Sequence, residues 1–185
     1  ATVAGAWIQS FGVVAAAAYL DRWWAYGAAF FLMGRAMALL NILGHEAAHR
    51  LLFPRKAVND SVGRWMLAYP GFTPFDVYRR SHMAHHKDEM GPEEPDLALY
   101  RGYPITRASM RRKLVRDAAG ISGYKNLIPL LNALTKRSSR GVAGRIVGVQ
   151  LVIWAALWAG TGRWWLYPLL WLAPWMTVWR VLNRL

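Results

Sequence analysis

Apolar residues are concentrated in four blocks of the chain, two on each side of a long segment rich in charge. The blocks comprise residues 1–20, 23–44, 146–162 and 164–179. Arg35 is the one charged residue inside them. A helix needs about 20 apolar residues to cross a hydrocarbon core of about 30 Å, and the first two blocks reach this length. The last two are shorter and are separated by Arg163 alone, so they predict a membrane hairpin that turns at residues 161–163.

This pattern predicts an all-α, polytopic membrane protein whose residues 1–185 form a single domain. We expect transmembrane helices at about residues 4–20, 24–44, 146–162 and 164–181, and a long helical loop over residues 45–145. The alternative is a soluble protein in which such helices form a buried core. It is disfavoured because four blocks carry more apolar surface than so short a chain can bury.

Composition narrows the class of protein further. The chain is 55% hydrophobic and 18% charged, which excludes a disordered protein. It has no Cys, which excludes a disulfide framework, Cys-ligated zinc and a thiolate nucleophile. Residue 1 is Ala and no basic segment precedes the first apolar block, so we expect a fragment of a longer chain and no signal peptide.

The distribution of positive charge predicts the orientation. The net charge of +13 would suggest nucleic acid as a partner of a soluble protein, but 18 of the 23 Lys and Arg lie between Arg50 and Arg145. The two short connections carry only Arg22 and Arg163. The positive-inside rule then places the loop in the cytoplasm. We therefore expect a lipid membrane, and no nucleic acid, as the partner of this charge.

All five histidines lie in two short clusters. His45 and His49 are four residues apart, so they share one helix face about 6 Å apart along the axis. The second cluster consists of His82, His85 and His86. A lone His is usually structural, but five confined to two helices favour metal ligation. Neutral imidazole suits iron, zinc, copper or nickel.

The second cluster is predicted to lie on a helix that follows a proline. Thr73 is the expected cap, with Pro74 at the first helical position and Asp76 in the first turn. One stripe of that helix then carries Tyr78, His82, His85 and His86. Two helices that each offer imidazoles on one face can enclose a metal site at the membrane surface.

A zinc metalloprotease is an alternative interpretation of the first cluster. His45-Glu46-x-x-His49 matches the pattern in which two His bind zinc and Glu46 is the general base. A catalytic zinc needs only three protein ligands, so the second cluster would have no clear role. More imidazoles than one zinc can use imply two metal ions.

The paired motifs, HxxxH at His45 and HxxHH at His82, resemble the histidine boxes of the integral-membrane fatty acid desaturase family. The resemblance covers roughly residues 25 to 185 and is greatest to the bacterial members. It extends to Asn59-Asp60, Tyr78-Arg79-Arg80-Ser81, Pro95-Asp96, Tyr100-Arg101-Gly102-Tyr103-Pro104, Arg111-Arg112-Lys113 and Arg116-Asp117.

The resemblance implies an oxidoreductase that introduces a C=C bond into a fatty acyl chain with O₂ and two electrons. It implies two iron ions, and it assigns His45, His49, His82, His85 and His86 as ligands with no other catalytic residue. The implied substrate is an acyl-lipid, an acyl-CoA or an acyl carrier protein. The implied donor is ferredoxin or a cytochrome with its reductase, and the implied location is the bacterial inner membrane with the metal site on the cytoplasmic face.

Related enzymes of the same superfamily keep a second reaction open. Lipid or carotenoid hydroxylases and ketolases use the same histidine boxes, so the resemblance does not separate desaturation from hydroxylation. The family also has a third HxxHH box after its fourth transmembrane helix, and no His follows His86 here. We therefore expect the 185-residue chain alone to be inactive.

Four further residues are candidates for supporting roles. Arg35 and Asn41 could line the substrate path in the second apolar block or orient the helix bundle. Glu46 could hold a ligand imidazole by a hydrogen bond or form a helix salt bridge with Arg50. Asp96 could orient a residue of the second box or stabilise a turn. Between Arg50 and Arg145, 18 basic and 8 acidic residues leave a net charge of +10 for a head group, an acidic partner or anionic lipid.

Overall fold

The computed structural model describes residues 2–89, 91–95, 97 and 102–185, and these residues form helices and turns without a β-strand. The helices are α1 Val3–Leu20, α2 Trp23–Ala48, α3 Lys56–Val62, α4 Phe75–Lys87, α5 Arg107–Ala118, α6 Ile121–Thr135, α7 Arg140–Thr161, α8 Ala173–Met176 and α9 Val178–Leu182. Two π-helical segments, π1 Gly63–Ala68 and π2 Pro168–Leu172, precede α4 and α8. The predicted all-α class is thus confirmed.

Three of the described helices, α1, α2 and α7, are long and apolar enough to cross a membrane. Each begins or ends within a few residues of its predicted span, but α2 continues to Ala48 and α7 begins at Arg140. At 1.5 Å per residue the 26 residues of α2 measure about 39 Å, more than a hydrocarbon core of about 30 Å. The last turns of α2 can therefore lie beyond the hydrocarbon core.

The fourth apolar block is helical but interrupted, which differs from the predicted continuous helix over 164–181. It divides into π2, α8 and α9, and the chain leaves the helical conformation at Thr177. Pro168 and Pro174 are the physical reason for the π-helical widening before α8. Proline has no N–H to donate and its ring clashes with the carbonyl four residues earlier, so the helix widens or breaks.

A polar cluster joins the two short connections at one end of the bundle. Arg163, between α7 and π2, forms an ion pair of 2.8 Å with Asp21, between α1 and α2. Arg163 also donates to the hydroxyl of Tyr26 at 3.1 Å and to the carbonyl of Ala18. The Tyr26 hydroxyl in turn donates to Asp21 at 2.7 Å. The cluster fixes the two helical hairpins to each other.

The turn after π1, residues 69–71, is hydrogen-bonded to the apolar segments of the bundle. Gln150 of α7 donates to the carbonyls of Tyr69 and Pro70 at 2.7 and 3.2 Å. Trp171 and Trp175 donate to the carbonyls of Pro70 and Gly71 at 3.3 and 2.9 Å. Non-helical backbone is tolerated next to apolar surroundings only when its polar groups are paired. These bonds fix the start of α4 relative to the apolar helices.

A buried ion pair attaches α5 to the end of the chain. Asp117 is fully buried and accepts from Arg184 and from the hydroxyl of Ser122. Burial raises the pKa of the Asp117 carboxyl, but these hydrogen bonds outweigh burial and lower it. The carboxylate therefore stays charged and holds α5 against the segment after α9.

Candidate metal centre

Four of the five histidines converge where the end of α2 meets α4. The ring nitrogens of His45, His49, His82 and His86 lie within 4.8 Å of one another. The Nε2 atom of His82 is 2.9 Å from Nε2 of His49 and 3.2 Å from Nε2 of His86. His82 is thus the central ring. Ligands at about 2.1 Å from a metal lie about 3.0–3.4 Å apart in octahedral or tetrahedral geometry, so the pairs His49–His82 and His82–His86 have the approximate spacing of neighbouring ligands of one ion.

His85 lies beside this group and faces a carboxylate. Its Nδ1 is hydrogen-bonded to Oε1 of Glu94, whose side chain is fully buried. Its ring centroid is 6.3 Å from that of His82 and 5.5 Å from that of His86. A carboxylate on one nitrogen of an imidazole fixes the ring and leaves the other nitrogen as a metal ligand. Glu94 therefore fixes the orientation of the His85 ring next to the four-ring group.

Glu94 is a site residue that the sequence did not single out. The signal available was an acidic run shortly after the second box, but Glu93, Glu94 and Asp96 are equal candidates in that run. Asp96 itself lies outside the residues that the structure describes.

The other predicted site residues take different positions. Glu46 places Oε1 3.3 Å from Nδ1 of His45, while Arg50 forms its ion pair with Asp60. Asn41 lines a cavity beside Gly44, whereas Arg35 lies on the exposed face of α2.

The predicted cap of α4 is wrong by one residue. Pro74 is the N-cap and Phe75 the first helical residue, with Asp76 in the first turn. The Thr73 hydroxyl donates to the carbonyl of Gly71 at 3.2 Å, within the preceding turn. A hydroxyl engaged in that turn does not cap the helix.

His82 and His49 are held in the neutral form that binds metal. Burial and then the neighbouring His45, His86, His49 and His85 lower the pKa of His82 to about 4. Burial, followed by His45 and His86, also lowers the pKa of His49. A protonated imidazole has no lone pair for a metal ion. Burial and crowding thus keep the lone pairs of these two rings available at neutral pH.

A small cavity lies in the bundle next to Gly44 and Tyr78, which adjoin His45 and His82. It has a volume of about 20 Å³ and its apolar wall includes Met37, Leu40, Leu67, Trp175 and Trp179. Tyr78 also lines it and stacks on His82 with ring centroids 5.4 Å apart. This volume holds about one water molecule, so a larger occupant requires movement of its walls. Met37 is suited to that because its unbranched side chain adapts its shape.

The end of α2 is closed by a motif without glycine. Arg50 has φ +62°, and the N–H groups of Arg50 and Leu51 donate to the carbonyls of Ala47 and Glu46 at 3.0 Å. This is a Schellman arrangement, in which the left-handed residue is usually Gly. The fully buried Asn59 also donates to the carbonyl of Ala47, at 2.8 Å. His49 is therefore the last residue before a sharply fixed change of direction.

Gly63 lets α2, π1 and α4 approach closely. A Cβ at this position would lie 2.7 Å from Cζ of Phe75 and 2.8 Å from Cβ of Ala47. Ala47 lies between the two histidines of α2, and Phe75 begins the helix that carries His82. The absence of a side chain at Gly63 thus sets how near the two histidine helices can come.

Comparison with known proteins identifies related chains. A family model described as fatty acid desaturase matches residues 21–185. The dihydrorhizobitoxine desaturase of Bradyrhizobium elkanii is 27% identical over 193 residues, which cover 95% of this chain and 55% of that protein. The sn-1 acyl-lipid omega-3 desaturase (ferredoxin) of Nostoc sp. (strain 36) is 27% identical over 97 residues, which cover 52% of this chain and 26% of that protein.

A hydroxylase is also similar. The oleate hydroxylase of Claviceps purpurea is 28% identical over 123 residues, which cover 66% of this chain and 23% of that protein. The chain thus spans about half, or less, of the length of these relatives. No solved structure matches the chain.

Proposed function

The chain belongs to the fatty acid desaturase family, and from this premise we propose that the protein containing it introduces a C=C bond into a fatty acyl chain. The observation that carries the proposal is the convergence of His45, His49, His82 and His86 above an apolar cavity. The proposed overall reaction takes R–CH₂–CH₂–R′, O₂, two electrons and two protons to R–CH=CH–R′ and two molecules of water.

Two iron ions are the proposed cofactors, and iron supplies the O₂-dependent oxidation of an unactivated CH₂ group. The four converging imidazoles hold one ion, and His85, oriented by Glu94, is the proposed ligand of the second. Five imidazoles leave coordination positions of two ions open, so the active protein needs ligands in addition to these. We accordingly propose that the 185-residue chain by itself is inactive.

The residues beneath the metal centre position the substrate. The apolar walls of the cavity, including Trp175 and Trp179, favour an acyl chain over a polar substrate. Asn41 provides a polar group beside this path. Met37 and Leu40 exclude water from the reacting carbon atoms, which suits the oxidation of an aliphatic chain.

We propose the membrane topology that the charge pattern predicts. The fourth block crosses the membrane as an interrupted helix, which gives four spans, with the single domain covering residues 1–185. The loop and both boxes face the cytoplasm of a bacterial inner membrane. The basic loop then meets an acidic electron donor, ferredoxin or a cytochrome with its reductase, and an acyl-lipid, acyl-CoA or acyl carrier protein.

Hydroxylation of the acyl chain is the second candidate reaction. Similarity to an oleate hydroxylase supports it, and the two reactions share the first removal of hydrogen. A carotenoid or other lipid hydroxylase or ketolase would use the same ligands.

Metal content and product analysis test the proposal together. The protein containing this chain, purified in detergent, is expected to retain about two irons per chain. Cells that express it are expected to accumulate acyl chains two mass units lighter. Acyl chains sixteen units heavier would establish hydroxylation instead. One zinc per chain without iron, and acyl chains of unchanged mass, would refute both reactions.

Replacement of Glu46 by Gln separates this proposal from a zinc protease. A protease would lose its general base, so turnover would vanish while the metal stayed bound. We expect instead that Glu46→Gln weakens metal retention and activity by about 10–100-fold, because Glu46 contacts the imidazole of His45. Iron per chain and product yield are the measurements, with the exposed Glu93→Gln as the control. A metal-replete but inactive Glu46→Gln protein would contradict the desaturase assignment.

A further inference from the structure

Asp60 of α3 connects the two helices that carry the histidines. It accepts from Arg50 through both oxygens, with Nη2 to Oδ2 at 3.0 Å and Nε to Oδ1 at 3.4 Å. It also accepts from Nη1 of Arg79 at 2.8 Å. Arg50 directly follows His49, and Arg79 precedes His82 by three residues on α4. One carboxylate thus holds the neighbour of a ligand on each helix.

The contact with Arg50 constrains backbone as well as side chain. The left-handed conformation at φ +62° is unfavourable for a residue with a Cβ and persists only where the surroundings fix it. The two-point contact between the Arg50 guanidinium and Asp60 is such a constraint. It therefore helps to fix the direction in which the chain leaves His49.

The contact with Arg79 is the better protected of the two. The side chains of Arg79 and Asp60 are 18% and 22% exposed, against 43% for Arg50. Arg79 lies 6.0 Å from the ring centroid of Phe75, the first residue of α4. Limited access of water makes this ion pair less screened than a surface pair.

We infer that Asp60 is a positioning residue that sets the distance between the histidine pair of α2 and the histidines of α4. This inference rests on the proposed function, because it assigns Asp60 to the metal centre of that enzyme. Asp60 does not touch the metal and acts through Arg50 and Arg79. An amide at this position removes the negative charge and the second oxygen that accepts from Nη2 of Arg50, so it holds the two guanidinium groups less strongly.

The ion pair between Asp76 and Arg64 provides a control, because it does not connect the two histidine helices. Asp76 binds Arg64 through both oxygens at 2.8 and 3.1 Å. This pair connects π1 with the first turn of α4 and does not reach α2. Asp76→Asn therefore removes an ion pair of similar type without releasing the spacing between the two histidine helices.

Cobalt binding tests the inference independently of turnover. The metal-free protein containing this chain is titrated with Co²⁺ against a chelator, and the visible absorption of bound Co²⁺ is recorded. We expect Asp60→Asn to weaken Co²⁺ binding by about 10–100-fold and to alter the absorption bands. Asp76→Asn is expected to change the affinity by less than about threefold and to keep the bands. Asp60→Glu, which keeps the charge, is expected to restore part of the affinity.

The possible results distinguish the role of Asp60 from the proposed function of the protein. Unchanged affinity and absorption in Asp60→Asn, or an equal loss in Asp76→Asn, would overturn the role of Asp60 and leave the proposed function standing. If Asp60→Asn does not fold, Arg50→Gly decides, because glycine adopts the left-handed conformation freely and loses only the link to Asp60. Co²⁺ binding as in the wild type would then overturn the role. A wild-type protein that binds no Co²⁺ overturns the metal site itself.

Discussion

Replacing His82 by Ala is expected to abolish metal retention, with a loss of affinity greater than about 100-fold. His82 is the central ring of the group, with its Nε2 2.9 Å from that of His49 and 3.2 Å from that of His86. Its removal therefore leaves the histidines of α2 without their nearest partner on α4. Iron per purified chain and product yield in cells are the measurements, and we expect both to fall to background.

The control for this variant lies on the same helix. Lys87→Ala changes an exposed side chain of α4 and is expected to keep iron and product. His85→Ala removes a ring outside the four-imidazole group, so we expect it to cost the second iron before the first. A His82→Ala protein that keeps its iron while His85→Ala loses all of it would contradict the assignment of the central ring.

Replacing Gly63 by Ala is expected to destabilise the protein by about 1–3 kcal/mol, because the added methyl overpacks the contact between α2 and α4. The methyl would lie 2.7 Å from Phe75 and 2.8 Å from Ala47, well inside van der Waals contact. Each kcal/mol lowers the Tm by about 2–4 °C in a chain of 150–250 residues. Separation of the two helices is expected to reduce metal retention as well.

Gly144 of α7 provides the matched substitution. A Cβ there meets no atom within 4 Å, so Gly144→Ala is expected to be neutral or to stabilise the helix by up to about 1 kcal/mol. Thermal unfolding of both variants in the same detergent compares the effects. A Gly63→Ala protein as stable and as rich in iron as Gly144→Ala would show that the close contact at Gly63 is not required.

The apolar helices could be predicted because a membrane span depends on length and apolar content alone. The interruption of the last block was missed although Pro168 and Pro174 signal it, since the hydropathy pattern does not register a missing N–H. The start of α7 at Arg140 was missed for a related reason. Charged residues can continue a helix beyond the hydrocarbon core, and the hydropathy pattern ends where charge begins.

The candidate site could be predicted in part. Helical spacing is enough to bring His45 to His49 and His82 to His86. At 100° per residue, His86 lies about 40° from His82 around α4 and His85 about 60° to the other side. The sequence does not show which of these two sides of α4 packs against α2. In the structure, α2 packs against the side that carries His86. The roles of Glu94 and Asp60 depend on contacts between segments far apart in the sequence, and no local pattern reveals them.

The cluster that joins Asp21 to Arg163 has a consequence for biosynthesis. These residues are 142 positions apart in the chain. A ribosome that adds about 5–20 residues per second needs roughly 7–28 s to synthesise the stretch between them. During that interval Arg163 is not yet present, and Tyr26 is the partner of Asp21 that the first hairpin itself supplies. Arrival of Arg163 then joins the two hairpins, so this contact forms only after the whole segment between them has been synthesised.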